Sequence, residues 1–586
     1  MSVTKYYEAI NRDGPARLGK LLLENSLKTP ALISKENFIS TGPIWIFDSM
    51  DEALKKAKAH TNQKEKLLIL PHVSAPLHAK PPMTMPNIEV DGPSSAVIHP
   101  LFDDQTPTAD VYILGAAGSL KNPRELVNMV LTAKNMIPPD TALYVPALAT
   151  PANVAFLVYL GVDLIDSTKV IVDGYMKRYH TREGMWDVND PPEIPCRCPH
   201  CRAMEETGER SVGLIASHNV LKLEEEVRLV RELIRRGTLR EYIEKQVRTT
   251  PELTTALRLL DQEHYYLEKR TPILRRGVMH SNTDDSLHRV EVTRFAQRVQ
   301  ERYCAPKNDV LLLLPCSARK PYSKSRSHRL FAEALGHNRR YVHEVILTSP
   351  LGLVPRELEE VYPAAYYDVP VTGRWDLEER DWVLKCLDAY LEKNHYTKIV
   401  AHLNGELREM VEGHGIKATY TGGGTNSEAL KRLSETVKEA VLDSKDATLE
   451  NFQMQRVRAM ADYYLGRGAS DLLVGKDTKF KGRELQDEMK KNLASVTPRG
   501  TITLSIEGAK RLISRGDYIV KIGDFVPRGD VLSPGVIDAD EQIRPGDETI
   551  VCGDLAFGVG KAKMSGWEMV ESSRGVAVEL KHVEKM

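Results

Sequence analysis

Two groups of residues carry chemistry in their spacing. The first is Cys196-Arg-Cys198-Pro-His-Cys201, with His218 seventeen residues further on. Three thiolates and one imidazole make a tetrahedral zinc site with no position left for water, so the metal expected there is structural. His200 is a rival fourth ligand, although it sits beside Cys201, where the chain must turn tightly. The second group runs from Pro315 to His328 (PCSARKPYSKSRSH) and follows directly on the apolar run 310–314 (VLLLL). Catalytic groups gather where parallel strands end. A cysteine there, with Arg319, Lys320 and His328 near it in sequence, sits in a cationic setting expected to lower its thiol pKa and make a nucleophile. Ser325 and Ser327 add hydroxyls for hydrogen bonding or for holding a phosphate. The competing reading makes Cys316 a small core residue and the basic run a solvated loop.

The elements that must position these groups read as alternating strands and helices. In the first part, 67–70 (LLIL), 111–114 (VYIL), 143–145 and 162–165 read as buried strands, with helices at 124–136 and 153–160. Such alternation argues a parallel α/β arrangement, part of a barrel or an open wound sheet up to about residue 190. A polar, proline-rich stretch, 187–195, leads into the cysteine cluster. Residues 222–246 read as one helix and 252–268 as another; 281–285 reads as a linker. A second α/β unit begins at Asp309, with strands at 310–314, 345–348 and 398–402 and helices at 328–336, 376–393 and 427–442. Helices are expected at 451–466 and 482–492. From about residue 500, short strands punctuated by Gly, Pro and Asp (518–522, 535–538, 548–552, 557–564, 576–581) predict a small barrel.

Composition bounds the rest. The chain has 586 residues, 42% hydrophobic and 27% charged, and its 80 basic against 81 acidic side chains leave a net charge of −1. That excludes a disordered or fibrous protein and requires several domains, because single cores stop growing near ~250–300 residues. Any surface for nucleic acid must be local. No apolar run approaches the ~20 residues a membrane span needs. Seven cysteines, three of them within six residues, suit metal binding in a reducing compartment, so a cytoplasmic protein is expected.

The segment 196–234 resembles the zinc subdomain of tRNA-guanine transglycosylases, with a shorter gap to His218. Upstream, Pro151-Ala-Asn-Val154, Gly161-Val-Asp163-Leu-Ile-Asp166 and Tyr179-His-Thr181-Arg-Glu-Gly184 resemble that family's late-barrel segment, and Asp166 falls on the nucleophile position. Asp13-Gly-Pro-Ala-Arg17 with Thr29-Pro30 is similar to the family's first hairpin. The chain departs from the family where base exchange needs it most. The Ser-Gly-Gly base-binding strand and the other active-site Asp have no counterpart between residues 60 and 140, and the glycine-rich base clamp is Tyr144-Val-Pro-Ala-Leu-Ala here. The region is also shorter than the ~250 residues of a full (β/α)₈ unit. Asp166 is therefore read as a vestigial nucleophile position.

Pro315, Cys316, Lys320, Pro321, Tyr322, Ser325 and His328 match every defined position of PCxxxKPYxxSxxH, the motif that marks the archaeosine synthase family among transglycosylase relatives. The last part, with Arg544-Pro-Gly-Asp547, Gly558-Val-Gly560-Lys-Ala-Lys-Met564 and Arg574-Gly575-Val-Ala-Val, resembles a PUA domain, an RNA-binding pseudobarrel. Gly508-Ala-Lys510-Arg511 would open its first helix, and Lys510, Arg511, Lys561 and Lys563 are the candidate phosphate contacts, with Arg515 beside them.

The resemblance thus implies an α/β multidomain chain: a degenerate TIM-barrel-like domain (1–190), a zinc-binding and helical subdomain (191–280), the motif-bearing α/β domain (290–425), a small α+β domain (440–500) and a PUA pseudobarrel (501–586). It implies an enzyme acting on 7-cyano-7-deazaguanine already placed in the D-arm of tRNA. An amine donor, lysine, adds to the nitrile, and a radical SAM protein partner then leaves the amidine of archaeosine. Cys316, Lys320, Tyr322, Ser325 and His328 are the candidate catalytic residues. A nitrile carbon is electrophilic, and Lys320, Tyr322 or His328 could protonate the developing imine nitrogen. Cys316 adding first, to give a thioimidate, and direct amine addition with Cys316 merely packing both stay open. Asp368, Arg374 and His402 are candidate substrate contacts. So are the stretches around them (Tyr366 to Asp368, Thr372 to Trp375, Asn404), together with Gly352, Pro355 and Glu357. Two other function classes remain: active base exchange through Asp166, and a non-catalytic tRNA-binding adaptor for the radical partner. A homodimer is one assembly the chain would allow; a membrane is not a partner.

Overall fold

The computed structural model describes residues 6–42, 46–61, 65–73, 88, 90–101, 107–188, 193–370, 374–442 and 450–586. They form two compact units: residues up to Pro272 with Leu532–Gly535 and Trp567–Ala577, and the remainder from Ile273. No helix among the described residues is long and apolar enough to cross a membrane.

The first unit opens with an antiparallel sheet of Tyr7–Asp13, Ala16–Leu21 and Leu27–Thr29. Parallel strands follow in two sheets. Phe38–Ser40 pairs with Leu67–Ile69, and the larger sheet runs in the order Ala31–Leu32, Leu164–Ile165, Ala142–Val145, Val111–Leu114, Ser95–Ile98. The strand latest in sequence, Leu164–Ile165, therefore pairs back onto the earliest. Every residue of Val111–Leu114 and Ala142–Val145 is buried. That is why these strands read as unbroken apolar runs rather than alternating ones. Asn122 caps Pro123–Met136, whose first residue is a proline, and Gly161, at φ +107°, ends the wholly buried helix Val154–Leu160 in the left-handed conformation. Arg17 and Tyr7 from the opening sheet both bond the buried Asp163 carboxylate, at 2.8 Å, and lock the hairpin onto the strand that leads to Asp166.

Two stretches expected as single helices are each broken in two. The reading 222–246 is two helices, Val212–Arg236 and Leu239–Gln246, separated by Gly237 at φ +69°. The reading 252–268 breaks at Glu263 into Pro251–Gln262 and His264–Arg270.

The second unit is built on a five-stranded sheet in the order Gly352–Pro355, Val342–Thr348, Val310–Pro315, Lys398–Ala401, Thr419–Tyr420, parallel except for the first strand. Val310 to Leu314 are fully buried at its centre. The expected linker at 281–285 is folded: Ser281 donates its backbone N–H to Asp368 at 2.9 Å, and Asp285 and Ser286 are buried. Helix Phe452–Leu465 stands where expected.

The expected helix at 482–492 is a correction. These residues lie in an antiparallel sheet of Lys479–Lys481, Glu484–Gln486, Asn492–Val496 and Ile502–Leu504. Gly482 and Lys490 take positive φ at its turns, Leu485 is buried, and Met489, one helical turn on, is 73% exposed. Good helix formers lose to tertiary pairing when only one apolar residue per turn can be buried. The last sheet has six strands in the order Val531–Leu532, Val576–Lys585, Ala556–Ala562, Glu548–Gly553, Ile519–Ile522, Val536–Ala539, as the punctuated pattern predicted.

Candidate active site and metal centre

In the first unit, Cys196, Cys198, Cys201 and His218 bring their ligand atoms within 4.8 Å of one another. The His218 Nδ1 lies 3.5 Å from Cys198 Sγ and 3.2 Å from Cys201 Sγ. Zn–S bonds near 2.3 Å and Zn–N bonds near 2.0 Å at tetrahedral angles span edges of about 3.5 Å, so the donor set fits a zinc ion. The other ring nitrogen, Nε2, donates to the His180 carbonyl at 3.0 Å, which leaves the Nδ1 lone pair facing the sulfurs. Tyr179 stacks on the His218 ring at 3.9 Å. His200 lies outside the cluster, so of the two candidate fourth ligands the fold brings His218 to the thiols. Helix Val212–Arg236 makes the choice by carrying His218 buried on its inner face.

Asp166 follows the strand Leu164–Ile165. One carboxylate oxygen accepts from Tyr144 Oη at 2.6 Å and from Ala147 N at 3.0 Å; the other accepts from Thr168 N at 2.8 Å. Tyr144 is buried, and burial together with Asp166 pushes its hydroxyl pKa well up.

In the second unit, Cys316 follows directly on the strand Val310–Pro315. The register pairs Pro315 with Leu347, so Cys316 comes level with Thr348 at the end of the neighbouring strand, where the Thr348 hydroxyl favours the charged form of its sulfur. The expectation of a lowered thiol pKa is corrected. Burial raises it, and Thr348 and Lys320 offset that in part, while Glu379 opposes them. Burial lowers the Lys320 amine, against the pull of Cys316 and Asp368. The Lys320 Nζ sits 4.1 Å above the centre of the Tyr367 ring. Thiol and amine are thus neighbours that burial drives towards neutrality, so a proton can pass between them at small cost.

The other three motif residues do different work from that expected. Tyr322 is fully buried and bonds Tyr367 Oη at 2.6 Å. Ser325 is the N-cap of helix Arg326–Leu335 and accepts from His328 N at 3.2 Å, so its hydroxyl is committed to the helix start rather than to a phosphate. His328 is buried, with Nδ1 2.8 Å from Arg356 Nη2 and Nε2 3.0 Å from the Pro315 carbonyl. A guanidinium only donates, so Nδ1 accepts and Nε2–H donates. Burial and the Arg356 charge push the ring down to about 3, and His328 is neutral with both nitrogens engaged. It fixes the carbonyl just before Cys316 and is no proton donor to substrate.

Arg356 is the hub of this support. It reaches Glu344 at 2.6 Å and Glu359 at 2.9 Å, Arg339 also bonds Glu344, and Glu359 accepts from the Ser323 backbone at 2.8 Å. The neighbouring guanidiniums hold the buried Glu344 carboxyl down at about 2 despite its desolvation. The motif loop is therefore tied to the strand Val342–Thr348 at both its Ser323 and His328 ends.

Of the candidate substrate contacts, Asp368 is exposed and faces Lys320, and Arg374 is exposed near Glu406. Trp375 donates its backbone N–H to Glu406 at 2.9 Å. Thr372 and Gly373 lie outside the described residues. His402 is corrected: it is fully buried, with Nδ1 2.7 Å from Thr421 Oγ1 and Nε2 2.9 Å from the Gly424 carbonyl, and it packs edge-on against Phe331. It is a satisfied core histidine. Glu357 is likewise spent on Tyr303 and His343. Gly352, at φ +77°, lies so close to Cys386 that a Cβ would come within 2.5 Å of its sulfur. Thr348, Glu344, Arg356 and Glu359 were missed. Thr348 ends an expected strand, and the strand-end rule that singled out Cys316 could have found it. The other three had no local signal.

The candidate RNA contacts are mostly paired within their own unit. Lys510 bonds Glu584 at 2.9 Å, Lys563 bonds Glu579 at 2.9 Å, and Arg511 reaches Asp477 at 3.3 Å. Lys561 is part-buried, and burial together with Lys581 lowers its amine. Exposed pairs are worth only ~0–1 kcal/mol, so phosphates could displace these carboxylates cheaply.

Comparison with known families covers most of the chain. Residues 103–252 match the family described as queuine tRNA-ribosyltransferase, and 292–437, which contain the Cys316 site, match a domain of unknown function. Residues 455–518 match the patch-forming domain C2 of tRNA-guanine transglycosylase, and 522–583 a PUA domain. Lys510 and Arg511, on helix Ile506–Leu512, fall in the third of these stretches. Among curated relatives, the archaeosine synthase subunit alpha of Methanosarcina acetivorans is 44% identical over 100% of both chains. The archaeosine synthase of Haloferax volcanii is 37% identical over 100% of both. The archaeosine synthase subunit alpha of Thermoplasma acidophilum is 29% identical over 80% of this chain and 87% of its own.

Proposed function

The chain belongs to the archaeosine synthase family, and from that premise we propose that it converts the nitrile of 7-cyano-7-deazaguanine in tRNA into an amine adduct at the Cys316 site. The observation that carries this reading is the pairing of a half-buried thiol and a half-buried amine, Cys316 and Lys320, at the end of the central strand Val310–Pro315. Lys320 takes the Cys316 proton, and sulfur adds to the nitrile carbon. One C≡N π pair moves to nitrogen, which the Lys320 ammonium protonates. The product is a thioimidate. A donor amine, lysine, then adds to the same carbon, the C–S bond breaks, and the thiolate regains its proton. The sum is one amine added across one nitrile. A lysine whose pKa has been brought down towards neutrality suits both proton transfers.

Asp368, exposed beside Lys320, is proposed to face the incoming ammonium, and Arg374 to face the tRNA. The terminal barrel is proposed to bind tRNA through Lys561 and Lys563, with Lys510 and Arg511 on the neighbouring helix. Cys196, Cys198, Cys201 and His218 would hold a structural zinc ion and through it order the loop before helix Val212–Arg236. Cys198→Ser should lower metal content and stability together. A degenerate barrel-like first unit serves tRNA docking in this reading, and a radical SAM partner completes the amidine. Base exchange through Asp166 is disfavoured, because that carboxylate already accepts three hydrogen bonds from its own unit.

The test is mass spectrometry of tRNA carrying the cyano base after incubation with the protein and lysine. A gain of one lysine per tRNA is expected. Exchange of radiolabelled guanine into unmodified tRNA with no lysine adduct would replace this reading with transglycosylation.

A further inference from the structure

We propose that Thr348 and Tyr367 are positioning residues that hold the Cys316 thiolate through a one-way chain of buried hydroxyls. The proposal rests on Cys316 being the reacting sulfur. Tyr322 Oη lies 2.6 Å from Tyr367 Oη, and Tyr367 Oη lies 2.6 Å from Thr348 Oγ1. Thr348 in turn stands level with Cys316 across the parallel pair of strand ends, and its hydroxyl favours the charged sulfur. Tyr322 and Thr348 are wholly inaccessible to solvent and Tyr367 is 3% exposed, so water cannot substitute for any link.

Each hydroxyl has one proton to give. In the direction that ends at the sulfur, Tyr322 gives its proton to Tyr367 and Tyr367 to Thr348, which leaves Thr348 with one donor and two acceptors in reach. One acceptor is the Ser349 carbonyl, at 3.2 Å, and the other is the Cys316 sulfur. A neutral thiol is a weak acceptor and leaves the Thr348 proton on the carbonyl. A thiolate is a strong acceptor and draws it across, and each upstream hydroxyl then polarises the next. The chain therefore favours the charged sulfur both when it attacks and when it departs. It also gives Tyr322, a motif residue that cannot touch substrate, a reason to be a tyrosine rather than a phenylalanine. The other groups acting on the sulfur are Lys320, which favours the thiolate, and Glu379, which opposes it; Glu379 itself accepts from Ser349 Oγ at 2.6 Å.

The experiment follows alkylation of Cys316 by iodoacetamide against pH in the full chain, by mass spectrometry of the peptide that carries it. Thr348→Val should raise the midpoint by roughly one to two pH units, the size of one hydrogen bond to a charged acceptor. Thr348→Ser should restore it, and Tyr367→Phe should give a smaller upward shift with the threonine intact. An unmoved midpoint in Thr348→Val, or no restoration by serine, overturns the proposal. If Thr348→Val does not fold, Tyr367→Phe decides by the same criterion. The readout involves no tRNA. A Cys316→Ala variant that still forms the lysine adduct would therefore sink the covalent reaction above, while the shift would still report whether the hydroxyl chain acts on the sulfur.

Discussion

Asp166 and Cys316 stand in matching places, each just past the end of a parallel strand, and they differ in what their neighbours leave them able to do. Asp166 receives three donors, Tyr144, Ala147 and Thr168. Both its oxygens are occupied in holding the strand end together. Cys316 has a basic amine beside it and one switchable hydroxyl, and its neighbours Tyr322, Ser325 and His328 are anchored elsewhere. A strand end thus becomes a reaction site when the surrounding polar groups satisfy one another and leave the reactive atom short of partners. It becomes a structural joint when they converge on that atom.

The largest effect expected from disturbing this contrast is on the support beneath Cys316. Glu344→Gln leaves the buried Arg356 with Glu359 alone and takes the part-exposed Arg339 away from its carboxylate. It should cost about 3–5 kcal/mol of stability, read by chemical denaturation, because a broken buried pair exposes an uncompensated charge. A loss under ~1 kcal/mol would show that the hub is not anchoring the motif loop. Next is the chemistry. Cys316→Ala or Lys320→Ala should lower lysine-adduct formation at least ~100-fold, the lower range for one acid/base group, while Asp166→Asn stays within a few-fold of wild type. The reverse ranking would move the active site to the first unit.

The pH dependence of stability sharpens the same contrast. In the unfolded chain His328 takes up a proton near its ordinary 6.5, whereas in the fold it refuses one until about 3. The unfolded state therefore binds more protons in between, and stability falls as pH drops through that window, by up to ~1.4 kcal/mol per unit for one group. Glu344, held at about 2 against an ordinary 4.5, adds a loss of the same sign below about 4.5. The slope between pH 6 and 5 should shrink in His328→Gln when denaturation curves of the two proteins are compared; equal slopes would mean that His328 is not held neutral. The smallest effect belongs to Asp166→Asn, which turns an acceptor towards a donor and should cost about 1–3 kcal/mol without abolishing the adduct reaction. Thermal melting that matches wild type would show the three bonds to be dispensable.

Much of this arrangement was legible along the chain. Unbroken apolar runs such as 310–314 and 143–145 mark strands buried on both faces, and the cysteine spacing marks a candidate metal site, because both signals are local. The strand Val310–Pro315 and the motif after it pointed to the candidate site without any knowledge of neighbours. The expected helix at 482–492 failed because its residues favour a helix on their own and a sheet only once the strands beside them are present. His402 read as a substrate contact and His328 as a catalytic residue for a related reason: sequence names an imidazole but not the groups that occupy its nitrogens.

Residue type and spacing alone determined the α/β alternation, the candidate metal ligands apart from the choice between His200 and His218, and the candidates Cys316 and Lys320. Tertiary structure alone decided which motif residues face the reaction and which hold the loop. Glu344, Arg356 and Glu359 meet His328 and Ser323 through the register of Val342–Thr348 and the turn after Gly352–Pro355. Burial and charged neighbours then set the protonation of Cys316, Lys320, His328 and Glu344. Desolvation and hydrogen-bond partners are properties of packed neighbours, and no residue carries them in its own identity.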